Sequence, residues 1–139
     1  LKTTIISLYI KRFKTMKLTQ LYDSDESKEL TITLNNKPVL SEKGNEMCLY
    51  VMPPNSPLLV DYLANATKEA RANGKTSQKD ADKLVPIYLS LSVSRAKGMG
   101  IDVNDDDGKA KLLELVTNST LVREQIDSFL HDQSNFIKG

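Results

Sequence analysis

The chain is poor in the residues from which reactive centres are most often built. Of its 139 residues one is a cysteine, Cys48, and one is a histidine, His131. A single cysteine excludes an intramolecular disulfide framework and fits a reducing compartment. One histidine with one cysteine leaves a zinc site of the usual nitrogen and sulfur ligands short of donors. The six glycines form no phosphate-cradling loop. No apolar run approaches the roughly 20 residues of a transmembrane helix. No Ser, Cys or carboxylate constellation stands at a readable spacing from His131, which reads as a surface residue near a helix C-terminus. Cys48, between Met47 and Leu49, reads as a small buried hydrophobe in a strand. Nothing here is the outline of an enzyme, and no cofactor or metal is called for.

What is present is ordinary globular usage. Hydrophobic residues make up 40% and charged residues 27%, too apolar for a disordered chain and enough for one core. The net charge of +1 conceals an asymmetry. Residues 1–15 carry Lys2, Lys11, Arg12 and Lys14 and no acid, while the remainder holds 15 basic and 18 acidic residues. This basic stretch precedes the first methionine, Met16. It reads as an upstream extension or a flexible basic arm, followed by a single globular domain over 16–139. Beyond it, basic residues are interspersed with acids, so nucleic acid is a weak candidate partner.

In LTITLNNKPVL, the apolar residues Leu30, Ile32 and Leu34 alternate with Thr31 and Thr33, the pattern of a half-buried strand. Asn35-Asn36 suits a two-residue hairpin turn, and Pro38 places the returning strand at an edge. MCLYVM, ahead of Pro53-Pro54, reads as a third strand. A small N-terminal antiparallel sheet is therefore expected over 30–52, packed on about four helices in a helix-dominated α+β fold. Ser56 as N-cap, Pro57 in the first turn and Gly74 at the end punctuate the next helix, with Leu59, Tyr62, Leu63, Ala66 and Ala70 as its buried stripe. Ser77 and Asp80 have capping-box spacing for a further helix. Pro86 costs about 3 kcal/mol inside a helix, and IYLSLSVSR also alternates like a strand. The stripe Ala81, Leu84, Tyr88 and Leu91 favours a kinked or broken helix to Lys97.

DVNDDDG, residues 102–108, begins like a calcium loop but has Asp107 where that loop needs Gly and Leu113 where it needs Glu. Asp105 to Asp107 instead suit a helix N-terminus. Leu112, Leu113, Leu115 and Val116, then Leu121, Val122, Ile126, Phe129 and Leu130, give the strongest helical pattern in the chain. Asn118 or Ser119 is placed to cap the second of two helices meeting at a corner. These apolar residues cover more than one side of their helices. They suggest a surface for a partner or a second copy, formed by Leu112, Leu115, Val116, Val122, Ile126, Phe129 and Phe136.

The sequence of elements has a precedent. A small β unit (LTITLNNKPVL, MCLYVM), a Pro-capped helix, the KDADKLVPIYL helix, an acidic Gly loop, then KLLELV and NSTLVREQIDSFLHDQSNF resemble the tail assembly chaperones of lambda-like, long non-contractile-tailed bacteriophages. The resemblance spans roughly residues 30–136. It implies a non-enzymatic protein of the host cytoplasm, absent from the finished virion. Such a protein binds the tape measure protein, keeps it soluble, self-associates and recruits tail tube protein; many are made in two lengths by ribosomal frameshifting. The competing expectation is a small regulatory or nucleic-acid-binding protein using the basic arm.

Overall fold

The computed structural model describes residues 17–72, 74 and 78–138, the side chains of 78–81 excepted. The expectations for residues 1–15 and for the Ser77 and Asp80 cap lie outside the described groups. The elements run β1 (Lys28–Thr31), β2 (Thr33–Leu34), β3 (Lys37–Pro38), β4 (Cys48–Val51), α1 (Pro57–Ala72), α2 (Gln78–Leu91), β5 (Val93–Lys97), α3 (Asp106–Asn118) and α4 (Thr120–His131). A short 3-10 turn precedes β1 at Leu18–Leu21, and another follows α4 at Gln133–Phe136. The fold is α+β, as the hydrophobic pattern predicts.

The main sheet is antiparallel with order β1-β4-β5. Leu30 lies opposite Leu49, Leu49 opposite Ala96, and a bulge at Tyr50/Val51 re-aims the end of β4. β2 and β3 form a separate two-stranded ladder, turning on Asn35 (φ 54°) and Asn36 (φ 63°). These are the left-handed angles that asparagine tolerates in a two-residue hairpin.

The sheet thus differs from expectation in two ways: the hairpin of β2 and β3 stands outside it, and a strand from beyond α2 joins it. The helix expected to reach Lys97 stops at Leu91, and Val93–Lys97 is an edge strand on β4. The strands are therefore not all N-terminal. The physical reason is non-local. Met52 N–H donates to the Ser92 carbonyl at 2.7 Å, starting a ladder that gives β4 a second neighbour. Val93 then enters the core at 3% exposure.

One face of the sheet, with Leu49, Val51 and the adjoining Ile32, closes on Leu89 of α2, Leu112 and Val116 of α3, and Val122, Ile126 and Leu130 of α4. Phe136 completes this core, and its ring meets Phe129 edge-on at 5.6 Å. The segment before β1 and the segment after α4 are tied together beside it, with Ser24 N–H donating to the Phe136 carbonyl and Lys138 N–H to the Tyr22 carbonyl.

The helix starts follow local chemistry. Asp105 caps α3, its carboxylate accepting the Asp107 N–H at 2.9 Å, while Asp106 and Asp107 occupy the first turn where the dipole favours them. Ser119 caps α4 by accepting the Val122 N–H at 3.2 Å. Arg123 bonds back to the carbonyls of Val116 and Thr117, satisfying the last turn of α3 at the same corner. Pro57 opens α1 as expected, and Gly74 takes φ 62° beyond its end. Ser56 begins α1 through its carbonyl, which accepts the Val60 N–H, but its hydroxyl has no hydrogen-bond partner among the described residues and makes no cap.

A candidate partner-binding trough

Seven residues were expected to offer a partner or self-association surface, and the fold uses them internally. Leu112, Val116, Val122, Ile126 and Phe136 are 0–6% exposed, all within the core. Leu115 and Phe129 are half-buried and packed against it. The wide apolar arc of α3 and α4 has a sufficient internal cause. α3 packs against both α2 and α4, and the two C-terminal helices also meet the sheet through the shared core. A helix with neighbours on two sides needs apolar residues on both.

The open apolar surface lies on the other pair of helices. Of the 16 residues of α1, only Leu59 is buried, and it lies outside the main core cluster. Leu58, Val60 and Leu63 of α1 are 52%, 49% and 47% exposed, and Leu84 and Val85 of α2 are 38% and 45% exposed. Part of this surface lines a trough of about 490 Å³. Its floor is Leu84, Val85, Tyr88 and Leu89 of α2. α1 lines it with Tyr62, Leu63, Ala66, Thr67, Ala70 and Arg71, and α4 with Asp127 and His131; α2 packs against both of these helices.

Where α1 and α2 meet, Tyr62 and Tyr88 stack with ring centroids 6.3 Å apart. Removal from water pushes both phenols above their ordinary pKa, with the Glu69 carboxylate adding to the effect at Tyr62. The charges are few. His131 Nδ1 lies 2.8 Å from the Asp127 carbonyl and 3.4 Å from its carboxylate, on an exposed helix end. Arg71, on α1, has no ion-pair partner among the described residues.

Sequence reasoning assigns Tyr62, Leu63, Ala66 and Ala70 to a buried stripe, whereas Leu63 is nearly half exposed and the others are half-buried. The available signal is the size of Ala66 and Ala70, which are too small to fill a core alone. The two side chains singled out earlier for chemistry stand apart. Cys48 is buried in β4, where loss of hydration pushes its thiol pKa up, and His131 is on the trough rim. Among the described residues no group of three or more His, Cys, Asp or Glu side chains could hold a metal ion. No helix among them is long and apolar enough to cross a membrane.

No protein-family model matches the chain, and no match is found among curated proteins or solved structures.

Proposed function

We propose that the chain is an assembly chaperone that holds an apolar segment of a partner protein in solution. The tape measure protein of a long-tailed bacteriophage is the expected client, and tail tube protein is a further partner. The observation that supports this reading is the trough. It is broad, apolar and walled by helices rather than by candidate catalytic groups, and α1 lacks a buried face of its own. A holdase needs such a surface, because an assembling partner must be covered without chemistry and later released. Weak contacts suffice when many copies coat one long chain, since linked sites add avidity.

The reading also moves the partner surface from α3 and α4 to α1 and α2. Co-expression with the tape measure protein of a long-tailed bacteriophage tests the proposal. The client is expected to shift from the insoluble to the soluble fraction and to co-purify with the chain. A client that stays insoluble, or is equally soluble without the chain, sinks the reading.

A further inference from the structure

The three elements around the trough are helices, and this restricts what can fill it. We infer that the trough takes one amphipathic α-helix from a partner, laid along α2 between α1 and α4, with an acidic edge toward Arg71 and a basic edge toward Asp127. The inference rests on the chaperone reading for the identity of the partner, but not for the geometry.

The argument for a helix comes from hydrogen bonding. The walls offer side chains, because the main-chain groups of a helix interior are already paired within the helix. The Thr67 hydroxyl is also committed, donating to the Leu63 carbonyl at 2.8 Å. An extended occupant would bring an N–H and a C=O with every residue against largely apolar walls with few groups to answer them. A helix answers its own. From Tyr62 to Arg71 the α1 wall is about 14 Å long at 1.5 Å per residue, which accommodates two to three turns of a neighbour.

The argument for the edges comes from charge. Arg71 is exposed and lacks an ion-pair partner among the described residues, and it lines the trough from α1 while Asp127 lines it from α4. Asp127 contacts only His131 among the ion pairs found there, and that histidine carries charge only when protonated. A helix seated with its apolar stripe on Leu84, Val85 and Tyr88 presents its flanking positions to the two walls. Opposite charges on those flanks would fix its direction. Tyr62 and Tyr88 also line the trough, and neither phenol is hydrogen-bonded among the described residues.

A second copy of the chain, offering Leu58 and Val60 of its own α1, is one alternative occupant. A long-chain carboxylate is the other alternative, with Arg71 holding its head group.

Three synthetic 14-residue peptides test this against the full chain, by calorimetry and by peptide circular dichroism. The first has a leucine stripe with glutamates on one edge and lysines on the other. The second exchanges the edges, and the third places proline at its centre. The first is expected to bind saturably, to gain helical ellipticity and to bind about three- to ten-fold tighter than the second at low salt. R71E is expected to erase or reverse that preference. Leu63→Lys should weaken the first peptide at least ten-fold without lowering the melting temperature appreciably.

Equal binding of the proline peptide, or no preference between the edges, overturns the inference. So does saturable palmitate binding with no peptide binding, or a dimer in sedimentation that L63K dissociates. Client solubilisation that survives L63K together with Leu84→Lys leaves the chaperone reading standing and removes this site. Helical peptide binding without client solubilisation does the reverse.

Discussion

The C-terminal helix pair and the central helix pair are built from similar amounts of chain, yet they are used differently. α3 buries Gly108, Leu112 and Val116, and α4 buries Val122, Ile126 and Leu130. α1 is longer than either and buries Leu59 alone. Both pairs have an amphipathic pattern. The first lies wholly on β4 and its neighbours, whereas of the second only α2 reaches that core, through Leu89. Apolar periodicity reports that a face wants cover, not who provides the cover. In one half of this protein the sheet does, and in the other the cover is incomplete. Stability is therefore expected to reside in the sheet with α3 and α4, and association in α1 and α2.

The sharpest way to break that contrast is by truncating side chains on both sides. Ile126→Ala removes a side chain with 0% exposure at the centre of the core and is expected to cost about 2–5 kcal/mol, read as a large fall in melting temperature. Leu63→Ala, at 47% exposure, is expected to cost under about 1 kcal/mol. Comparable losses at the two positions would show that α1 is as integral to the core as α4.

A second break concerns the loop that starts α3. A Cβ on Gly108 would collide with the backbone carbonyl of Asp102, which folds over the first turn. Gly108→Ala is expected to destabilise by about 1–3 kcal/mol, as overpacking against an unyielding backbone does. Unchanged denaturant midpoint in that variant would mean that the acidic loop is not held against α3.

A third, of similar or smaller size, tests how α4 is joined to the sheet region. The Gln125 side chain pairs with one residue of backbone as a strand would. Its oxygen accepts the Thr33 N–H at 2.9 Å and its nitrogen donates to the Thr33 carbonyl at 2.6 Å. Gln125→Ala leaves both backbone groups without that partner and is expected to cost about 1–2 kcal/mol. Amide exchange at Thr33 should accelerate with it. Slow exchange retained in the variant would mean that other groups protect that amide.

What was legible in the sequence follows from how local the controlling chemistry is. Asp105, Ser119 and the Asn35-Asn36 turn act within a few residues, and each stands where its neighbours predict. β5 was not legible, because Ile87 to Arg95 alternate like a strand while Tyr88 and Leu91 also continue a helical stripe. Its pairing with β4, more than 40 residues earlier, decides between the two. The Gln125 clamp spans 92 residues and leaves no local trace. The surface misassigned to Leu112, Val116, Val122 and Ile126 shows the same limit. The width of an apolar arc is visible in sequence, but the identity of its neighbours is a property of the fold. The trough was hidden because the α1 stripe reads the same whether or not a layer lies over it.

The smallest expected effect on stability is also the most informative about function. Leu63→Lys places a charge on a side chain already 47% exposed, beside Thr67 on the trough wall. The lysine stem can lie along the apolar wall while its ammonium reaches water, so the folded chain loses little. The melting temperature is expected to remain close to that of the parent, within about 0.5 kcal/mol of stability. A docked helix would close that route to water and leave the ammonium desolvated, which is costly without a paired anion. The same substitution is therefore expected to abolish client association while the protein alone is nearly indifferent. The core offers no such separation, since Ile126→Lys would remove fold and association together. A variant at Leu63 that melts early would place α1 with the core, and one that melts normally and still binds the client would place the partner surface elsewhere.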